Sequence, residues 1–260
     1  YKRQDFGLPS RLVAAGATLG SGGRSHEPLV AMLVLTQASV GAFVIDLALG
    51  ARRETTALAL ALGLLGLVAS VAHLGRPERA WRALAGLRHS WLSREVAALG
   101  AFAGLAALAA VTGSPVVPAL AAAAGVAGVV CSAMLYAATR RPSWRATATG
   151  ARFALGTVVG GAAVALVTGG GRGAGTLLAV AMAAKLTWEA VVVWRPGPLR
   201  AEGVVRFGLG GAAVVLAFGS RGSAGPAALL ALVAVLAGEV VERSRFFTDA
   251  SWTGMPGPKT

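Results

Sequence analysis

Runs of about twenty apolar residues, separated by short polar or charged stretches, repeat eight times along the chain. The pattern predicts helices over residues 28–50, 55–74, 94–113, 116–139, 149–169, 175–194, 203–220 and 225–244. A helix of that length crosses a hydrocarbon core ~30 Å thick. Backbone groups in lipid must pair internally, which leaves helices or a closed barrel. The runs show no period-two alternation, and Ala, Leu, Val and Gly dominate them. That excludes the barrel. The fold class is therefore all-α: a polytopic integral membrane bundle of eight transmembrane helices. Residues 1–25 read as an extramembrane basic arm or linker, 26–250 as the membrane domain and 251–260 as a tail. Leu12 to Leu19 is too short for a span, and the segment is read as an extramembrane arm and not as a signal peptide.

The breaks carry their own chemistry. Pro28 suits the first turn of a helix, and Arg52-Arg53-Glu54 reads as a tight charged turn. Gly113-Ser114-Pro115, Arg140-Arg141-Pro142 and Arg195-Pro196-Gly197-Pro198 stop helices.

Composition agrees with lipid as the solvent. Only 13% of residues are charged and mean hydropathy is +0.68; a soluble domain has about 25% charged residues. The 36 glycines read as helix-packing positions, since small residues let membrane helices approach closely. Gly156, Gly160 and Gly161, or Gly100 and Gly104, are the candidates. Cys131 is the only cysteine, so this chain alone forms no internal disulfide and ligates no iron–sulfur cluster through Cys.

Lys and Arg divide unevenly between alternate loops. About 19 fall with the amino-terminal arm, the 2–3, 4–5 and 6–7 loops and the carboxy-terminal tail; Arg52, Arg53, Arg172 and Arg221 fall on the other side. Short loops rich in Lys and Arg stay in the cytoplasm. Both termini are thus expected on the cytoplasmic face of the cytoplasmic (inner) membrane. A basic face also suits docking of an acidic partner. The basic charge is read this way, and no nucleic-acid partner is expected.

The segment His73 to Val96, between the second and third runs, departs from the pattern. It holds His73, His89, five arginines, two tryptophans and Glu95. Ala80, Trp81, Leu84, Leu87 and Trp91 fall at helical spacing, which predicts an amphipathic helix over 77–92 lying in the membrane interface. Ser93 is a candidate N-cap for the third helix, with Glu95 in its first turn. His73 and Glu95 begin and end one short connection, so they share one depth on one side. An imidazole can hydrogen-bond a quinone carbonyl, and a carboxylate can accept the proton a quinol hydroxyl releases. The pair suits two-electron, two-proton quinol chemistry. Arg76 lends positive potential that favours a developing anion on the quinol, or else anchors a lipid phosphate. Trp81 and Trp91 anchor the interfacial helix.

HLGRPERAWRALAGLRHSWLSRE, residues 73–95, resembles the signature of the membrane anchor subunits of the dimethyl sulfoxide reductase family. His26-Glu27-Pro28-Leu29 is similar to that family's amino-terminal motif. Tyr136 to Thr139 with Arg141-Pro142-Ser143-Trp144 is similar to its fourth-helix exit. Gly238 to Arg243 with Phe246-Phe247 is similar to its carboxy-terminal helix. The resemblance covers about residues 26–250. It implies an anchor that exchanges electrons between the quinone pool, usually menaquinol, and a four-cluster ferredoxin-like iron–sulfur subunit. That subunit in turn serves a molybdopterin catalytic subunit. It places the family's quinol-site histidine on His73 and its functional glutamate on Glu95. It implies no haem or iron–sulfur cluster in this chain, with [4Fe-4S] clusters and molybdopterin in the partners.

Two other readings compete. A haem-b anchor needs two histidines facing each other from different helices, and His26, His73 and His89 all lie at helix ends. A small-solute or ion transporter would use intramembrane charges, for which Asp46, Lys185 and Glu189 are candidates, beside Gln37 near the middle of the first helix. Lys185 and Glu189 stand at i, i+4 and suit a pair. These three residues suit a proton route or structural pairing.

Overall fold

A computed structural model describes residues 26–50, 52–73, 77–139, 141–193 and 201–248. Among them are eight long α-helices: α1 (Glu27–Leu49), α2 (Arg53–His73), α3 (Trp91–Val111), α4 (Val116–Ala137), α5 (Ala146–Val167), α6 (Gly171–Val192), α7 (Ala201–Gly219) and α8 (Pro226–Thr248). No strand occurs among the described residues. By length and composition, α1 to α7 are apolar enough to cross a membrane. The second half of α8 carries Glu239, Glu242, Arg243 and Arg245, which sets it apart from the other seven. The arm 1–25 and the tail 251–260 lie outside the described residues.

α1 and α5 form the middle of the bundle. α1 packs on α2, α4, α5 and α8, and α5 on α1, α4, α6 and α8. Their crossing is backbone on backbone. A Cβ added at Gly41 would lie 1.8 Å from the Thr157 carbonyl oxygen; one at Gly161 would lie 2.1 Å from the Gly41 carbonyl carbon. Gly160 packs on Ala38, where a Cβ would lie 2.9 Å from the Ala38 Cα. Gly100 and Gly104 have no neighbour within 4 Å of such a Cβ. The sequence expectation therefore holds for Gly160 and Gly161 and fails for Gly100 and Gly104, which face outwards. Apolar side chains such as Leu65, Val68, Val111, Val191 and Val215 are exposed all round, as a lipid-facing surface requires.

The loops alternate between two ends of the bundle. The first end gathers residue 26, the α2–α3 and α4–α5 connections, the end of α6, the start of α7 and the end of α8. The second holds the α1–α2, α3–α4, α5–α6 and α7–α8 turns. At this second end Gly50 closes α1 at φ +95°. The Arg52 amide donates to Asp46 Oδ2 at 2.8 Å, and the Arg52 guanidinium lies 3.5 Å from Asp46 Oδ1. Of its two expected roles, Asp46 occupies the pairing one.

The α2–α3 connection differs from the expected helix over 77–92. Pro77–Gly86 is a 3-10 helix, and a turn follows at 87–89. The apolar spacing is compatible with either kind of helix. Trp81, Leu84 and Leu87 recur every three residues, which is the 3-10 period, and all three are exposed. The opposite column is Ala80, Ala83 and Gly86, and it is half-buried. A Cβ on Gly86 would meet Ser93 Oγ at 2.6 Å, so the segment leans on α3 through its smallest residues. Two further expectations shift. Trp91 opens α3 and does not belong to the interfacial segment. Ser90, not Ser93, caps α3, its hydroxyl accepting from the Ser93 amide at 3.3 Å. Glu95 is then the fifth residue of the helix, in its second turn. Arg94 ties the turn down: it donates to the Leu87 and Arg88 carbonyls at 3.0 and 2.9 Å and lies over the Trp91 ring.

Candidate functional site

Glu95 lies at the first end of the bundle and is buried at 4% exposure. Its carboxylate accepts a hydrogen bond from the Ser132 hydroxyl of α4. The register of α3 on α4 follows from residue sizes one turn away. Leu99 seats against Gly128, where a Cβ would meet Leu99 Cδ2 at 2.5 Å. One helical turn from that contact, Glu95 comes opposite Ser132.

His73 is the last residue of α2, one 3-10 segment away from α3 in the chain. Its side chain lies outside the described residues, as does Arg76 altogether. Trp81 is 67% exposed, with the Arg82 guanidinium over its ring.

Removing the Ser132 hydroxyl would leave the enclosed Glu95 carboxyl without its donor. Ser132→Ala is therefore expected to destabilise the chain by about 1–3 kcal/mol, the cost of an unsatisfied buried polar group. A double-mutant cycle with Glu95→Gln, read by thermal unfolding in detergent, checks it; independent, additive losses would show that the two groups are not coupled.

The other motif segments meet near this end. Tyr136 of α4 packs edge-on against Trp144, Phe153, Phe246 and Phe247. Trp144 Nε1 donates to the Phe246 carbonyl at 3.0 Å. The His26 ring stacks on Phe247 at 5.3 Å. Segments separated by more than a hundred residues are thus joined in one aromatic nest.

The family model described as DMSO reductase anchor subunit (DmsC) matches residues 21–193. The chain belongs to that family. Its seven apolar helices suit the membrane anchor role that gives the family its name. A sulfite dehydrogenase subunit of Allochromatium vinosum is 67% identical over 42 residues. Those residues make up 16% of this chain and 13% of the relative.

The largest polar feature of this DmsC-family chain lies outside the expected site. Arg152 of α5, Lys185 and Glu189 of α6, Arg206 of α7 and Glu239, Glu242 and Arg243 of α8 are all buried. Arg206 bridges two carboxylates. It donates to Glu189 from Nε and Nη2 at 2.8 and 2.7 Å, and to Glu239 at 3.0 Å. Lys185 Nζ lies 2.7 Å from Glu239 and 3.7 Å from Glu189. Glu242 is shared by Arg152 and Arg243 at 3.2 and 3.0 Å. Arg243 reaches across to Gln37 of α1 at 2.7 Å and lies over the Phe153 ring. Gly156 makes room: a Cβ there would sit 2.9–3.0 Å from Glu239, Arg243 and Gln37.

Of this network the sequence singles out Lys185, Glu189 and Gln37. Arg152, Arg206 and Arg243 count there with the basic loops, because each lies within about two turns of a helix end. The structure places them inside helices, so the charge asymmetry of the loops is smaller than the count suggests. Arg206 at i, i+17 from Glu189 has no periodic signal. The only available cue is the presence of ionised residues inside apolar runs.

Among the described residues no group of three His, Cys, Asp or Glu side chains is placed to hold a metal ion.

Proposed function

We propose that this anchor carries a quinol-exchange site between the first ends of α2 and α3 and passes electrons between menaquinol or its quinone and an iron–sulfur subunit. The complex also includes a molybdopterin-bearing catalytic partner. The observation that carries the reading is the enclosed carboxyl of Glu95, held by Ser132 at that end of the bundle. His73, ending α2, hydrogen-bonds one quinone oxygen and takes or relays its proton. Glu95 passes a proton towards water on the same side. Arg76 supplies positive potential where negative charge develops on the quinol oxygens.

The 3-10 segment lies in the headgroup layer, with Trp81, Leu84 and Leu87 turned to lipid; their exposure and three-residue spacing support that position. All eight helices cross the membrane, with both termini on the cytoplasmic face of the inner membrane. The arginines flanking the site seat the iron–sulfur partner. The relative's name, a dehydrogenase subunit, sets quinone reduction beside quinol oxidation as the direction; the same residues serve either.

The test separates chemistry from assembly. His73→Ala and Glu95→Gln are expected to lower quinol-dependent turnover of the assembled complex by about 100-fold or more, the scale of general acid–base catalysis. Turnover with an artificial donor that feeds the iron–sulfur subunit directly is expected to stay near wild type. Wild-type rates in both assays would make His73 a helix cap and Glu95 a packing residue.

A further inference from the structure

At the second end of the bundle, the turn between α7 and α8 sits directly on the first turn of α6. A Cβ on Gly222, whose φ is +80°, would lie 2.3 Å from the Arg172 amide nitrogen. The contact brings Arg172 and Arg221 to one groove of about 350 Å³ between α6 and α7. Thr176 and Phe218 line its sides, and Gly175 lies against the Ala217 carbonyl in its floor. Neither guanidinium has a hydrogen bond or ion pair among the described residues, and none of the described residues lining the groove is acidic. The acidic residues described at this end are Asp46, held by Arg52, and Glu54 in the first turn of α2. Two cations at one groove without a counter-charge favour an anion between them. Arg221 also holds φ +52°, where glycine or asparagine is the ordinary residue.

The walls say which anion. Phe218 is 63% exposed, and one turn further into each helix Val180 of α6 and Val215 of α7 are exposed as well. Both helices are long and apolar enough to cross a membrane, so these rows face hydrocarbon while the arginines stand at its edge. A free anion would use the arginine end alone; a phospholipid uses both. A zwitterionic headgroup would bring an ammonium to the two arginines with no carboxylate to receive it. We propose that the groove between the second ends of α6 and α7 binds one anionic phospholipid. Arg172 and Arg221 hold its phosphate, since guanidinium forks match phosphate oxygens. The Thr176 hydroxyl donates to a headgroup oxygen, and an acyl chain runs along Phe218, Val215 and Val180. The site lies at the opposite end of the bundle from His73 and Glu95 and does not depend on the quinol reading.

The intact complex, stripped of lipid in detergent, is titrated with phosphatidylglycerol, phosphatidylcholine or inorganic phosphate, and bound lipid is counted by native mass spectrometry. Wild type is compared with Arg172→Gln, Arg221→Gly and the double variant. Arg53→Gln is the control, an exposed arginine at the same end outside the groove. Arg221→Gly keeps the turn, because glycine adopts φ +52° without steric cost. Wild type and Arg53→Gln are expected to hold one more phosphatidylglycerol per chain than the double variant. Affinity should fall about five-fold for each arginine and about 30-fold for both, from about 1 kcal/mol per basic residue near an anionic headgroup. Phosphatidylcholine and inorganic phosphate should not displace the lipid. Phosphatidylglycerol binding unchanged in the double variant overturns the proposal, as does equal affinity for phosphatidylcholine. Displacement by inorganic phosphate overturns the lipid assignment and makes the groove a free-anion site. A wild-type complex without the extra lipid also overturns it, and an acidic partner segment would then be the occupant.

Discussion

Arg206→Ala is expected to be among the most damaging single substitutions in the chain, costing about 3–5 kcal/mol, the scale of breaking a buried ion pair from one side. Arg206 makes three hydrogen bonds to two carboxylates and is fully buried. Truncation leaves Glu189 without its bidentate partner and Glu239 with Lys185 alone. It also opens a cavity where the guanidinium stood. The folding equilibrium constant should fall on the order of a hundred- to several-thousand-fold, which reads as loss of the chain from membranes and a steep drop in unfolding temperature in detergent. Arg206→Lys should recover little, because an ammonium cannot make the two parallel bonds to Glu189. A change below about 1 kcal/mol would mean the pairing is of the weak, solvent-screened kind seen at surfaces.

A second large loss is expected from one methyl group. Gly161→Ala would place a Cβ 2.1 Å from the Gly41 carbonyl carbon and 2.5 Å from its oxygen. Those atoms are backbone, so relief requires α1 and α5 to separate. Overpacking usually costs about 1–3 kcal/mol; here about 3 kcal/mol or more is expected, because every contact at the central crossing is affected. Gly100→Ala and Gly104→Ala meet nothing within 4 Å and should be neutral or slightly stabilising, given alanine's higher helix propensity. Unfolding measurements on the three variants check the contrast, and similar behaviour at positions 161 and 100 would contradict the packing.

These glycines mark how far the sequence could be read. Apolar runs located every long helix within a few residues, because lipid imposes length and composition on a span. They did not tell a glycine at a helix crossing from one facing lipid, since both environments are apolar. Patterning around Trp81 was also ambiguous: positions 81, 84 and 87 fit a helical face of either kind, and Gly86 against Ser93 decided for the tighter one. Glu95 was legible as a candidate from its place in the signature segment. Its hydroxyl partner was not, because Ser132 sits on another helix and is unremarkable in an Ala-rich run. The ion network was the largest omission. Its members are spread from Gln37 to Arg243 and touch only after five helices are in place.

That spread bears on how the chain is made. The matched family region ends at residue 193, between α6 and α7, while Arg206, Glu239, Glu242 and Arg243 are carried by the two helices that follow. On translocon scales a single charge at a helix centre costs about 2.5–3.5 kcal/mol, so the charged second half of α8 gains most from partners already in place. These partners, Arg152, Lys185 and Glu189, are synthesised earlier and lie on α5 and α6. The earlier helices thus carry the counter-charges for the later pair, so the seats of Arg206, Glu239 and Glu242 are complete only once α5 and α6 stand beside α7 and α8.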